Sequence, residues 1–400
     1  MTIGVGNTIV APDYNSIQNA VQNTLGVGSL TLTNVVITNT TGSFSCSSST
    51  LVINQFVTVT GTNTGTGSIT GYTSGKIYKI SATNASTTFT LINLDGTAVA
   101  TVVGTNGSTT GLTFTVSGDR GYGQPVTSTT VNQYDLVTAQ HMINLKTDID
   151  KISFHQVNTA STAPAIGVGG TILANDWTNY STQITNLTST RLTIFGSEST
   201  PGPIVTAQST WLVDVDIQEL TNWNGNQRHS VILNFGSADG ARYYFNTGSE
   251  IRFNPRHINN TFPKGNSWKT LFDNLGTRGV RFGANGTTYN TANIGTAITN
   301  VFAIGYYQLT QTNQKIFETI EQSTYSGNDY TIFARLDTVS GRVVFDIFLR
   351  DDTTLETTGS RTIDDPVDGK TTSSISTFRA TGSYVQVPAP TVFATSLTSV

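Results

Sequence analysis

The sequence predicts an α+β multidomain protein. A short helical amino-terminal unit is interrupted by a small all-β barrel or sandwich insert and followed by an α+β domain with a mainly antiparallel sheet. Three observations lead to this prediction. Residues 30–116 hold only three charged side chains and alternate short β-prone runs with turn signals. The segments that flank them repeat apolar residues at helical spacing, and the carboxy-terminal half mixes helix and strand patterns.

The amino-terminal unit is predicted to comprise residues 1–29 and 118–190 and to serve in docking and oligomerisation. Asp13 is a candidate N-cap for a first helix that Gly26 ends. Two further helices are predicted, with Asn132 or Asp135 near the start of one and Asp176 as the cap of the other. Their apolar stripes are Met142, Leu145, Ile149 and Ile152, and Trp177, Tyr180, Ile184 and Leu187.

The insert, residues 30–117, is predicted to be a β module of six or so short strands. Thr, Ser, Asn and β-branched apolar residues dominate it, and it is far poorer in charge than the roughly 25% of an ordinary soluble domain. Loop tips whose ends lie close together tolerate such insertions. A surface of hydroxyl and amide groups stays hydrated without charge, which favours a structural or adhesive protein.

Residues 205–387 are predicted to form the α+β domain. Ser237 caps one helix that stops at Gly248, and a second helix ends at Gly276. Residues 388–400 open with Pro-Ala-Pro and are predicted to be an extended tail that lies on a neighbouring subunit. Strands are predicted at 231–235, 250–253, 301–307, 330–336, 342–349, 372–380 and 384–387.

The composition argues against several classes of function. A net charge of −4 and a pI near 5.5 give no reason to expect nucleic acid or an anionic membrane as a partner. No apolar stretch approaches the ~18 residues of a membrane span. The single cysteine, Cys46, has no neighbouring base to activate it. We expect no cofactor, no metal and no catalytic centre, because the histidines are too scattered for a zinc site: His141, His155, His229 and His257.

Acidic residues offer one alternative to a protein without a metal or a catalytic centre. Asp214 and Asp216 would share one face of a strand because side chains alternate along it, and Glu219 and Glu250 are further carboxylates. Such a group suits calcium binding or the acid–base chemistry of a glycan depolymerase. The simpler interpretation, which we prefer, is a solvent-facing strand edge. The glycine-rich run at 167–170 lacks the context of a phosphate-binding loop and is predicted to be a turn.

Aromatic residues offer a second alternative, the recognition of host-surface glycans. Stacking on sugar rings needs exposed aromatic side chains beside Asn and Asp. Tyr72, Tyr78, Trp223 and Tyr325 are the candidates. Each of them is equally explained as a residue of an ordinary hydrophobic core.

Charge is unevenly distributed along the carboxy-terminal domain. Residues 228–281 carry eight Lys or Arg and three Asp or Glu, a balance of +5, whereas residues 316–368 carry four and eleven, a balance of −7. Either these charges mix on the folded surface, or a basic face of one subunit meets an acidic face of its neighbour. In the second case the oligomer weakens as salt rises.

Several segments resemble virion structural proteins of T4-like marine and cyanobacterial phages. Around residues 44–46 and 87–91, the insert is similar to repeats in phage proteins that are labelled as resembling the first catalytic-cysteine half domain of ubiquitin-activating enzymes. The other segments are Asp-Tyr-Asn-Ser-Ile-Gln-Asn at 13–19, Gly-Tyr-Gly-Gln-Pro-Val at 121–126, Ala-Arg-Tyr-Tyr-Phe-Asn-Thr-Gly-Ser-Glu-Ile-Arg-Phe at 241–253, Asn-Ser-Trp-Lys-Thr-Leu at 266–271 and Val-Asp-Gly-Lys-Thr-Thr at 367–372.

The resemblance implies a non-enzymatic structural component of a tailed-phage virion, made in the host cytoplasm. Such a protein is expected to form a homo-oligomer, with a homotrimer favoured over a hexameric ring. Its other partners would be tail, baseplate, neck or fibre proteins. The alternative is a host-surface glycan-binding adhesin or receptor-binding fibre module. The shared motifs are architectural, so the resemblance assigns no catalytic, cofactor-binding or metal-binding residue.

Overall fold

The computed structural model confirms the α+β class. The chain divides into two compact units, Met1–Arg191 and Leu192–Val400. The structure describes residues 10–27, 29–39, 42–47, 49, 51, 53, 55–67, 69, 72–101, 107–117, 121–195, 209–211, 216–282, 287–288, 298–302, 304–321, 325–352, 356–358, 361–363, 366–380 and 383–400.

Three helices form the frame of the first unit: α1 (Ala11–Thr24), α2 (Ala139–Val157) and α3 (Ala174–Ser189). Their apolar stripes are buried as the periodicity predicts. The N-caps predicted for α1 and α3 are wrong. Asp13 and Asp176 lie one turn inside their helices, and α2 is capped by Thr138, whose Oγ1 accepts a hydrogen bond from the His141 N–H at 3.3 Å. An acidic residue in the first turn is as favourable as one at the cap, so composition did not separate the two positions.

The insert folds as one antiparallel sheet of eight described strands. Its order is β1-β8-β4-β5-β6-β3-β2-β7, and among these strands it is open rather than closed into a barrel. Phe44, Phe89 and Phe114 centre its hydrophobic core, with the first two rings stacked at 5.2 Å. The strands are β1 (Ser29–Leu32), β2 (Val36–Asn39), β3 (Ser43–Ser45), β4 (Phe56–Gly61), β5 (Ile77–Thr83), β6 (Thr88–Ile92), β7 (Gly107–Ser108) and β8 (Leu112–Ser117).

The two ends of the insert lie side by side. Strands β1 and β8 are paired, with Ser29 opposite Ser117. On the helical side, the Gly123 N–H donates to the Gly26 carbonyl at 3.2 Å. Gly121 approaches that carbonyl so closely that a Cβ at its position would lie 1.9 Å from the oxygen, so only glycine fits there. The chain therefore enters and leaves the insert at one point.

The second unit contains two large antiparallel sheets and two helices, α4 (Ala238–Asn246) and α5 (Pro263–Leu275). Ser237 caps α4 and Gly276 ends α5, as predicted. A 3₁₀ turn spans Tyr306–Gln308. The strands are β9 (Ser209–Trp211), β10 (Asp216–Trp223), β11 (Gln227–Asn234), β12 (Glu250–Phe253), β13 (Arg256–Ile258), β14 (Arg278–Val280), β15 (Thr287–Thr288), β16 (Ile298–Val301), β17 (Gln314–Ile320), β18 (Asn328–Leu336), β19 (Arg342–Asp351), β20 (Glu356–Thr358), β21 (Arg361–Ile363), β22 (Val367–Ala380) and β23 (Thr391–Ser399).

The long strand β22 organises the first of these sheets, because β9, β10, β12 and β13 all pair with it. Its buried positions carry hydroxyl side chains that bond to buried rings. Thr371 accepts from the Trp223 indole at 2.9 Å and lies 2.7 Å from Nδ1 of His257. Ser373 lies 2.8 Å from Nδ1 of His229. Buried polar groups paired in this way fix the register of the strand.

The second sheet has the order β16-β17-β18-β19-β11-β23, and the predicted hairpin of 330–336 and 342–349 lies at its centre as β18 and β19. Three predictions are corrected here. The strand predicted at 301–307 ends at Val301, and no strand forms at 384–387. The tail predicted at 388–400 contains β23, which pairs along its whole length with β11 of the same chain. Its backbone is extended as predicted, but it pairs with β11, whose N–H and C=O groups would otherwise be unpaired on that side.

Candidate functional site

The segment that leaves the insert runs back along α1. At one end, the Tyr122 N–H donates to the Thr24 carbonyl at 2.9 Å. At the other, Asn15 exchanges two hydrogen bonds of 2.8 Å with the backbone of Val131. The chain is thereby returned from the carboxyl end of α1 to its amino end before α2 begins.

As a result, α2 runs in the same direction as α1. The Tyr14 hydroxyl donates to the His141 carbonyl at 3.3 Å, which joins the starts of the two helices. At their far ends, the Gln156 side chain donates to the Tyr122 hydroxyl at 2.9 Å. Burial and the nearby Asp148 carboxylate raise the pKa of Tyr14 to about 12.

The third helix is parallel to the other two. Its carboxyl end contacts that of α1 through the hydroxyls of Thr24 and Thr188, 2.8 Å apart. It contacts that of α2 through a 2.8 Å hydrogen bond from Gln156 to the Leu187 carbonyl. The crossover 158–173 carries the chain back between α2 and α3. All three helix amino termini therefore lie at one end of the bundle.

Asp148, which is fully buried on α2, anchors the returning segment. Its carboxylate accepts hydrogen bonds from the backbone N–H groups of Thr127 and Ser128, the shortest at 2.6 Å. Lys151 neutralises it at 2.8 Å. A buried carboxylate with this many donors rigidly connects the returning chain to α2.

Apolar side chains are exposed at both ends of the bundle. Val27 (40%) and Val157 (50%) lie at its carboxyl end, and a larger group of five lies at its amino end. These five lie in the segments that lead into the three helices, and we call them together the amino-end surface: Val10 (49% exposed), Tyr134 (93%), Leu136 (82%), Val168 (88%) and Leu173 (57%). Exposed apolar residues that form a contiguous patch are typical of an interaction site, and we take these five as the candidate.

Tyr134 is the most exposed of these residues, and its backbone is held in an unusual conformation. Its φ of 79° lies in the left-handed region, which costs a bulky side chain of order 1 kcal/mol or more. Asn132 and Asp135 close the loop around it, with a side-chain hydrogen bond of 3.0 Å. Strain of this kind concentrates at functional positions, which makes Tyr134 a candidate for one.

Two of the helices begin with an apolar N-cap, Val10 for α1 and Leu173 for α3. The preferred residues there are Ser, Thr, Asp and Asn, and their replacement by an apolar residue costs about 1 kcal/mol of helix stability. In α3 the Asp176 carboxylate compensates in part by accepting from the Leu173 N–H at 2.8 Å. These positions are therefore not optimised for helix stability, and the side chains that occupy them are exposed.

The aromatic residues proposed for glycan stacking lie mainly in the core. Tyr78 and Trp223 are 1% and 5% exposed, and Tyr325 is 5% exposed. The Tyr72 hydroxyl donates to the Gly61 carbonyl at 2.7 Å, and its ring packs against the core of the insert. The simpler interpretation as core residues accounts for Tyr78, Trp223 and Tyr325, whereas Tyr72 is partly buried.

Of the four acidic candidates, Glu250 is the one whose side chain the structure describes. Asp214 lies outside the described residues. Asp216 and Glu219 lie on β10, opposite residues 375 and 372 of β22. Glu250, on β12, is buried, and its carboxylate lies 3.1 Å from Nε of Arg252. Burial raises the pKa of Glu250, and this cation partly offsets the effect.

Three of the histidines and Cys46 are buried in the described part of the chain. His141 and His155 belong to α2, whereas His229 and His257 are buried against β22. Cys46 is buried in the insert, with its Sγ 3.6 Å from the Ser49 hydroxyl. Among the described residues, no group of three or more His, Cys, Asp or Glu is placed to hold a metal ion.

The two charged stretches meet inside the second unit. Lys264 of the basic stretch and Asp351 of the acidic stretch form a buried ion pair of 2.8 Å. Asp368 accepts two hydrogen bonds from Thr261 and one from the Phe262 N–H, at the start of α5. The Lys264–Asp351 pair neutralises one charge of each stretch within one subunit, which favours mixing over a basic face opposed to an acidic one.

Sequence reasoning missed the amino-end surface. Residues 167–170 form the predicted turn, with a 2.9 Å hydrogen bond from the Gly170 N–H to the Gly167 carbonyl, but Val168 at its tip was not singled out. The sequence contains one weak indication of this surface. Tyr134, Leu136 and Val168 are apolar residues within loops that Asn, Asp and Gly mark. Only the parallel arrangement of the helices shows that these loops lie at the same end.

Comparisons with known proteins leave the family open: no family model, curated protein or solved structure matches the chain. In the described residues, none of the helices has the length and apolar character to cross a membrane.

Proposed function

We propose that the protein is a non-enzymatic structural component of a tailed-phage virion, a part of the tail, baseplate, neck or fibre. It assembles as a homo-oligomer, with a homotrimer as the proposed state and a hexameric ring as the alternative. Its partners are copies of itself and neighbouring virion proteins. The sequence resemblance to virion proteins of T4-like phages motivates this proposal.

The single observation that carries the proposal is the amino-end surface. A parallel three-helix frame, braced by Asp148, presents exposed apolar side chains at one end, and two of them replace favourable helix caps. A protein that docks on a particle needs a rigid element with an exposed apolar end. In this proposal the amino-end surface contacts the particle, and the β insert projects away from the contact.

Complementation of particles that lack the protein tests the proposal. Tyr134→Ser and Leu136→Ser together remove the two most prominent apolar side chains of the α2 loop, both exposed in the isolated chain. We expect the variant to fold normally and to be depleted from purified particles at least tenfold, as measured by quantitative mass spectrometry.

The matched control is Val339→Ser, since Val339 is also exposed, at 48%, but lies in the turn between β18 and β19. It should be incorporated like the unmodified protein. If the double variant is incorporated as well as this control, the amino-end surface is not the docking site. If the unmodified protein is absent from particles, the virion role itself is wrong.

A further inference from the structure

Lys264 and Asp351 are in direct contact in the interior of the second unit. Nζ of Lys264 lies 2.8 Å from Oδ2 of Asp351, and the two side chains are 2% and 0% exposed. Lys264 belongs to the first turn of α5, and Asp351 is the last residue of β19. An amine and a carboxyl group that touch away from solvent are the two reactants of an amide bond.

Both reactants are held in place by the elements that carry them. The Asp351 N–H donates to Oδ1 of Asn226 at 2.7 Å, which fixes the end of β19. One turn after Lys264, on the same face of α5, Trp268 is buried and packs against Trp223 with ring centroids 5.1 Å apart. Well-oriented groups held at contact distance react with effective molarities of about 10⁵–10⁸ M. The fold therefore supplies the orientation that a reaction between these two side chains requires.

Stability alone does not account for a lysine at this position. A buried ion pair is often no more stabilising than apolar side chains that fill the same space. Lys264 also lies at the amino end of α5, in a first turn without an acidic residue, and a cation at that end of a helix opposes the helix dipole. Amide formation removes both the buried charges and this unfavourable interaction.

Asp351 has buried polar neighbours on the same face of its sheet. Asn328 lies directly opposite it in the ladder, and Glu321, which follows β17, donates its N–H to the Asn328 carbonyl at 2.9 Å. Directly opposite residues share one face, with Cβ atoms about 4.5–5.5 Å apart. A buried cluster of two carboxyl groups and one amine is electrically neutral only if a carboxyl oxygen keeps a proton. The protonated form of a carboxyl group is the one that an amine attacks.

We infer that Lys264 and Asp351 join in an intramolecular isopeptide bond, and that the ion pair is the state before this reaction. Nζ passes one proton to the Asp351 carboxylate and, as a neutral amine, attacks Cγ. The bond from Cγ to one carboxyl oxygen then breaks, and that oxygen leaves as water with a second proton from Nζ. The reaction consumes no oxidant, metal or co-reactant. This inference does not depend on the virion role.

The bond ties the start of α5 to the end of β19 and closes a loop that contains strands β14 to β18. A cross-link over a long loop stabilises a fold chiefly by restricting the unfolded chain. A chain with the single cysteine Cys46 cannot form an internal disulfide, so an amide is the covalent cross-link open to it. Unlike a disulfide, this bond is insensitive to reductants.

Mass spectrometry of the denatured full-length protein tests the inference. An ion pair is lost when the chain unfolds, whereas an amide bond persists. We expect a mass that is lower than the mass of the sequence by one molecule of water. A mass equal to that of the sequence would overturn the inference. Loss of one molecule of ammonia instead would place the bond on Asn328 and overturn the assignment to Asp351.

Digestion with trypsin locates the bond. Trypsin does not cleave after an acylated lysine, so residues 257–269 should be released joined to residues 351–361. Lys269 is the internal control, because it is also paired with a carboxylate, that of Asp273, but is about half exposed. Cleavage after Lys269 should be complete. Release of a separate peptide that ends at Lys264 would contradict the inference.

A pair of variants shows whether Lys264 is the amine that reacts. Lys264→Arg keeps a cation at the site but lacks the primary amine, so we expect the full mass of its sequence. The matched control, Lys269→Arg, should lose one molecule of water like the unmodified protein. If Lys264→Arg also loses water, the loss arises elsewhere in the chain and the inference is wrong. If Lys264→Arg fails to fold, the tryptic peptides of the unmodified protein decide.

Discussion

At the scale of single residues, the second unit contains a buried ion pair between Lys264 and Asp351. Lys264 is 1% exposed and would be highly unfavourable without Asp351, which lies 2.8 Å away. On the same helix, Lys269 forms an ion pair with Asp273, but both side chains are about half exposed. The two pairs share their chemistry and differ in burial, so they form a natural comparison.

We predict that Lys264→Met destabilises the protein by about 3–5 kcal/mol, because it leaves a buried carboxylate without its cation. Lys269→Met should change the free energy of unfolding by no more than about 0.5 kcal/mol, since exposed pairs contribute little. Chemical denaturation of both variants measures the difference. Equal effects would show that Lys264 is not buried in solution.

Asp368 makes the stability of the second unit depend on pH. Burial raises the pKa of this carboxyl, but the hydrogen bonds from Thr261 and Phe262 outweigh burial and leave the pKa below its usual value. Because the folded pKa is lowered, the stabilisation is fully present above the unfolded value of about 4 and is lost as pH falls through the folded pKa.

We therefore expect Asp368→Asn to destabilise the protein at neutral pH and to differ less from the unmodified protein as pH falls below about 4. The free energy of unfolding of both proteins, measured by denaturant titration between pH 3 and 7, tests this. A difference that stays constant over the whole range would show that the Asp368 carboxylate is not stabilised by these hydrogen bonds.

At the scale of elements, one substitution at the start of α3 is expected to raise stability and to weaken docking. Leu173→Ser supplies a favourable cap and removes an exposed apolar side chain from the amino-end surface. We expect the thermal midpoint of the first unit to rise, corresponding to about 0.5–1 kcal/mol, while incorporation into particles falls. If the variant is more stable and is incorporated normally, Leu173 is not part of the docking surface.

The elements show how far local sequence determines this fold. The strand at 250–253 and the end of α5 at Gly276 were predicted because turn residues and periodicity agree there. Strands β13 and β14 were missed because each has only three residues. The strand β23 was predicted only as an extended tail, because its pairing with β11 is a long-range contact that composition does not reveal.

The candidate site was less predictable than the fold. The exposure of Tyr134 and Val168 depends on which loops meet at one end of the bundle, and that follows from the direction of α2 and α3. Periodicity predicts that a helix exists but gives no information on its direction relative to another helix. The residues that were singled out from the sequence, Trp223 and Tyr325 among them, are large and apolar, and such residues are usually buried.

At the scale of the whole molecule, the insert is attached at a single point. Gly26 and Gly121 are in direct contact, so a short linker can replace residues 28–120 without moving either flank. We expect the shortened chain to keep its helices and a cooperative thermal transition, observed by circular dichroism. Loss of the helical signal would mean that the insert is required for the frame to fold.

The central claim is that this protein is a structural part of a virion, and immunogold electron microscopy of native particles tests it most directly. The antibody should be raised against residues 30–116, the segment that we expect to project from the particle. We predict label at the tail, baseplate, neck or fibre of intact particles, and distal label would point to host adhesion. Particles without label, both native and denatured, would contradict the claim.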